Sequence, residues 1–145
     1  MNEVIEKLTK YLRTRSNMDN FVSRINAVLL EFSEYEITVL ESYLTLTEIQ
    51  IISVAVKSMD DLKLLREHLA RVEIFTIQIS FPLSAYFEQQ IVEKILEATK
   101  EPCVVQILPV KQLLAGAVLD YKGRYRDYSL KLAIEEWRKK KAIHV

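Results

Sequence analysis

The chain has 145 residues, with 20 Lys and Arg balanced against 20 Asp and Glu and half of its positions hydrophobic. This is the composition of one folded domain, alone or with a helical appendage, and two glycines and three prolines leave little room for flexible linkers or disorder. The balance hides an asymmetry: residues 1–121 carry 12 cations against 17 anions, and residues 122–145 carry 8 against 3, so the C-terminal end is the basic pole.

Val4, Ile5, Leu8, Tyr11 and Leu12 recur at helical spacing, which predicts an amphipathic helix over 2–14. Its scattered charges are unlike a signal peptide, and no apolar run in the chain approaches the roughly 18 residues of a membrane span. The expectation is therefore a soluble, cytoplasmic-facing protein. A second helix is expected over 18–34, capped by Asn17 or Asp19, with Phe21, Ile25, Val28, Leu29 and Phe32 inward. Together these make a helical hairpin over residues 1–35 whose apolar face docks on the rest of the chain or on a partner helix.

From residue 36 a mixed α/β domain is expected. Ile37-Thr-Val-Leu and Ile49-Gln-Ile-Ile-Ser-Val-Ala-Val are rich in β-branched residues, which predicts strands at 37–44 and 49–56. Ser58 with Asp61 opens a helix over 59–71, on which His68 is a packed or solvated histidine, there being no metal-spaced partner. Ile74–Ser80 alternates as a strand ended by Pro82. Ser84 caps a helix to Thr99 with Phe87, Ile91, Ile95 and Ala98 on its inner face. Pro102 leads into a strand over 103–108, stopped by Pro109, and strand–helix–strand makes a βαβ crossover. Cys103 is the single cysteine, so no intrachain disulfide exists and a reducing compartment is expected; in a buried strand its thiol is an inert core group.

Residues 112–131 hold both glycines. Ala117, Leu119 and Tyr121 alternate up to Lys122-Gly123, a turn signal, and Tyr125 lies on the returning strand, so a β-hairpin is expected. Gly116 suits a bulge or close backbone approach. Asp127 and Ser129 are alternative caps for a last helix over 128–141, with Leu130, Ala133, Ile134 and Trp137 at i, i+3, i+4 and i+7. The fold class is α+β with an α/β-like core: helical hairpin, small mixed sheet with a crossover, C-terminal hairpin, terminal helix.

One string of features resembles a known family. Ser80-Phe-Pro-Leu-Ser84, then Leu113-Leu-Ala-Gly116-Ala117 and Asp127-Tyr-Ser129, is similar to the C-terminal domain of the ATP synthase delta subunit, the family of the oligomycin-sensitivity-conferring protein. The likeness covers 74–137, with Pro82, Leu83, Ser84, Gly116, Gly123, Asp127 and Ser129 as architectural motif residues. The helical hairpin resembles the segment that ends the family's N-terminal bundle. That family usually pairs two glycines where this chain has Gly116-Ala117, and its N-terminal bundle is longer than the residues that precede the match here.

The resemblance implies a non-catalytic stator connector on the cytoplasmic face of a membrane complex. Its partners would be the peripheral-stalk b subunit and the alpha subunit of the catalytic head, with no cofactor, metal or small-molecule substrate. An amphipathic stalk helix would lie against the last helix, for which Leu130, Ile134, Trp137 and the run Arg138-Lys139-Lys140-Lys141 are the candidate contacts. The plainer reading of those residues is a core tryptophan and cations complementing the helix dipole. No phosphate loop or nucleophile–base set is present at familiar spacing, so catalysis is not expected. The rival reading is a nucleic-acid module, since Lys122, Arg124, Tyr125, Arg126 and Tyr128 interleave cations and aromatics. His144, next to last, is expected to fray.

Overall fold

The computed structural model describes residues 1–113, 115–128 and 130–143, with backbone alone at 130, 131, 133 and 141–143. Two compact units are formed, one from Met1–Glu73 with Leu96–Val104, the other from Ile74–Ile95 with Val105–Val145.

The first unit is built on five helices: α1 (Asn2–Leu12), α2 (Arg15–Glu31), α3 (Ile37–Tyr43), α4 (Leu46–Ile52) and α5 (Met59–Ala70). The helical hairpin predicted at the N-terminus docks on this same unit. α2 packs on α1, α3 and α5, and α1 also meets α4 and α5. Every fourth or third residue of the two long helices is drawn inward: Val4, Leu8 and Leu12 from α1, Phe21, Ile25 and Val28 from α2. Each such fully buried side chain stabilises the bundle by about 1.5–3 kcal/mol. The α1–α2 corner is tighter than expected. Arg13 takes a positive φ of 70°, and Thr14, rather than Asn17 or Asp19, accepts the N–H of Asn17 at 3.2 Å to start α2.

The strand expected at 37–44 is the helix α3, and the one expected at 49–56 is the second half of α4 followed by a turn. α3 is short, with Leu40 buried and Val39 and Tyr43 half-buried. α4 starts from a reciprocal capping box in which Thr45 accepts the Glu48 N–H and the Glu48 carboxylate accepts the Thr45 N–H at 2.8 Å. Ile49 and Ile52 then fall three apart on one buried face. The β-branched run argued for a strand, but burial of one helical stripe outweighs a propensity difference of at most about 1 kcal/mol per residue. α5 begins where expected, with Ser58 accepting the Asp61 N–H at 3.1 Å.

The second unit carries most of a four-stranded mixed sheet in the order β2-β1-β3-β4. Its strands are β1 (Glu73–Ile79), β2 (Cys103–Pro109), β3 (Ala117–Tyr121) and β4 (Arg124–Asp127). β1 and β2 are neighbours joined through α6 (Ala85–Ala98), the expected crossover. At their ends the Val110 N–H donates to the Ile79 carbonyl at 2.6 Å. β3 runs antiparallel to both flanking strands, with Ile77 opposite Leu119 and Leu119 opposite Arg126. A 3-10 turn at Lys111–Leu113 precedes β3 and packs against α7 (Leu130–Ile143). Ile77, Ile79, Val105 and Val118 are the buried sheet residues of this unit.

α6 departs from expectation in what it buries. Its inward residue is Val92, while Ile91, Ile95 and Leu96 are half-buried and Phe87 is 60% exposed. Periodicity locates an apolar stripe; it does not say that the whole stripe is covered.

Candidate functional site

The hairpin that organises the second unit follows from its turn. Lys122 and Gly123 take φ of 52° and 75°, the paired left-handed conformation that matches a two-residue loop to the twist of its strands. Gly123 is there for its backbone alone, since a Cβ built on it would meet nothing within 4 Å. Lys122 is a bulkier residue held in the same region, its Nζ 5.7 Å from the Tyr121 ring centroid. Gly116 also has a positive φ, 87°, immediately before β3 begins, so its part is conformational.

Register then distributes the side chains. Tyr121 faces Arg124 and Leu119 faces Arg126, which puts both arginines on the sheet face of Leu119 and Tyr121. Tyr125 faces Asp120, so it lies on the opposite face from Tyr121. Tyr121 stacks on Phe75 of β1, ring centroids 5.1 Å apart, an aromatic cross-strand contact of the kind that stabilises sheets. Arg124, Tyr125, Arg126 and Tyr128 are all exposed.

The Ser80–Ser84 motif marks the β1–α6 corner. Pro82 and Ser84 are exposed and Leu83 is half-buried. The Ser84 hydroxyl accepts the Phe87 N–H at 3.4 Å, a long capping bond. Phe81, Tyr86 and Phe87 are exposed at this corner, and the last two meet edge to face at 5.7 Å. Sequence reasoning assigned Phe87 to the core and gave Phe81 and Tyr86 no part; three large apolar residues within seven positions were the available signal.

On α7, Ile134 is half-buried, Trp137 is 57% exposed, and Arg138, Lys139 and Lys140 are exposed. Trp137 is therefore not the core residue of the plainer reading. Leu130 and Lys141 belong to α7, but their side chains, together with Ser129 and His144, lie outside the described residues. Asp127 ends β4, half-buried. The basic, aromatic residues of the hairpin and of α7 thus share one unit with the apolar corner at 81–87.

The other concentration of polar chemistry lies inside the helical unit and is structural. Arg24 donates two hydrogen bonds to the Glu48 carboxylate, at 2.6 and 2.8 Å, and a third to the Tyr43 carbonyl at 3.2 Å. Burial pushes the Glu48 carboxyl up, but hydrogen bonds from Arg24 and from the Thr45 backbone and hydroxyl outweigh it and hold the group below the usual carboxylate range. Burial likewise raises the Cys103 thiol, against the pull of a contact with Thr99 Oγ1 at 3.4 Å, which disfavours the thiolate. Among the described residues, no group of three or more His, Cys, Asp or Glu side chains is placed to hold a metal ion, and no helix is long and apolar enough to cross a membrane.

No family model matches the chain, and no curated protein matches it. Among solved structures it is similar to a chain of the Polytomella F-ATP synthase in primary rotary state 3. That neighbour is 21% identical, with 52% of this chain and 100% of the other covered, at a TM-score of 0.39. At that identity and TM-score the likeness establishes neither family nor function.

Proposed function

We propose that the chain is a non-catalytic connector in the stator of a rotary ATP synthase, holding the peripheral stalk to the catalytic head. The observation that carries this reading is the order of parts in the second unit. Ser80–Ser84, α6, β2, Gly116 and the Lys122-Gly123 hairpin follow one another as crossover and hairpin of one sheet. Those are the motifs, in the order, by which the sequence resembles the delta-subunit family. The wholly helical region 1–70 adds support, because that family's N-terminal domain is a helical bundle and the expected strands had been at odds with it.

A connector resists torque through packed contacts and needs no reacting group. In this reading an amphipathic helix of the stalk b subunit lies along α7, its apolar side on Ile134 and Trp137 and its acidic residues beside Arg138, Lys139 and Lys140. The helical unit meets the alpha subunit of the head. The protein then sits peripherally on the cytoplasmic side of the membrane complex.

Affinity purification of the tagged full-length chain from its own cells, followed by mass spectrometry, tests this. Recovery of the b and alpha subunits is the expected result, with b lost in a Trp137→Ala/Arg138→Glu variant. Recovery of no ATP synthase subunit would sink the reading.

A further inference from the structure

We propose that the outer edge of β4 takes up an acidic, extended peptide as a fifth strand of the sheet. β4 is the last strand in the order β2-β1-β3-β4, so its far side meets no other strand among the described residues. The hydrogen-bond alternation across the hairpin defines what that side offers. The Tyr128 N–H donates to the Ala117 carbonyl at 2.8 Å, which makes 117 and 128 a hydrogen-bonded pair. By alternation the pairs Leu119–Arg126 and Tyr121–Arg124 are hydrogen-bonded too, and Asp120–Tyr125 is not. Tyr125 therefore turns its own N–H and C=O away from β3, toward an incoming strand.

Charge selects the occupant. Arg124 and Arg126 are exposed, two residues apart on one face, with Lys122 just before them. Cations on a sheet edge are a common guard against self-pairing. A second copy of β4 would bring arginine against arginine, which is destabilising, whereas an opposing carboxylate is stabilising. The same residues that repel another copy thus favour a strand with acidic side chains at every second position. Between those positions a β-branched residue would lie on the opposite face, beside Tyr125, whose ring is 60% exposed. The recognised chemistry is an alternating acidic and β-branched segment of about five residues, the length of β4 with its flank. The inference stands whether or not the chain belongs to an ATP synthase.

The test is fluorescence anisotropy of the full-length protein with four labelled probes. They are a peptide alternating glutamate and valine, the same peptide with its central valine replaced by proline, a lysine-for-glutamate version, and oligothymidine. Binding of the glutamate peptide alone is expected. Arg124→Glu/Arg126→Glu should weaken it about tenfold or more. Tyr125→Pro should abolish it, since the substitution deletes the outward N–H and leaves the inner ladder intact; circular dichroism reports whether that variant is folded. Equal binding of the proline-containing peptide overturns strand pairing even if Tyr125→Pro fails to fold. Absence of glutamate-peptide binding up to about 1 mM overturns the proposal outright, and so does binding of oligothymidine in its place.

Discussion

Among single residues, Arg24 and Glu48 bear the largest electrostatic consequence. The Glu48 side chain is 2% exposed and that of Arg24 is 29% exposed, so the carboxylate has left water and depends on its partners. Removing one member of such a pair leaves the other uncompensated, at a cost of about 3 kcal/mol, the low end of the range for buried pairs because the guanidinium keeps some solvent. Glu48→Gln is the informative substitution, since glutamine preserves the capping box and removes only the charge. The carboxyl is held below its ordinary value when folded, so its contribution is complete above the ordinary glutamate range and disappears as pH falls through the lower, folded value. The melting-temperature gap between the native protein and Glu48→Gln should be wide at pH 7 and close progressively in acid. A gap that is constant with pH would show that packing, not charge, is lost.

At the scale of elements, the stretch 37–57 shows how a capping signal can outrank propensity. Thr45-Leu-Thr-Glu48 is the capping-box pattern and was legible in the sequence. The β-branched run from Ile49 to Val56 competes with it by favouring a strand. Thr45→Ala removes the hydroxyl that accepts the Glu48 N–H and should destabilise the protein by about 1 kcal/mol, measured by urea unfolding. A change below about 0.3 kcal/mol would place the start of α4 in the packing of Ile49 and Ile52 instead. α6 gives the complementary lesson. Its spacing predicts Phe87, Ile91, Ile95 and Ala98 on the buried face, yet Ala98 is exposed and Phe87 stands exposed beside Tyr86, because spacing along a helix contains no information about what lies opposite it.

For the molecule as a whole, the absence of net charge conceals a basic end. The sequence pI is about 6.7, so solubility at low salt should pass through a minimum near neutral pH, where self-repulsion is weakest and residues 122–145 can meet acidic surface of another molecule. Adding salt should relieve this association by screening it. Light scattering across pH at two ionic strengths checks both; association that is unchanged by salt would assign it to the exposed aromatics at 81–87 instead.

The sequence by itself determined the α+β class, the crossover, the Lys122-Gly123 hairpin and the starts of α1, α5 and α6. These depend on local chemistry, namely the φ open to glycine, the hydroxyl that caps, and the period of apolar residues. Tertiary structure alone decided that Leu40, Ile49 and Ile52 are buried as helical residues, that Arg24 reaches across to Glu48, and that Trp137 and Phe87 face water. It also decided that Tyr125 turns its backbone outward from the edge of the sheet. Those outcomes depend on which surfaces meet, and burial and strand register are properties of pairs of segments distant along the chain.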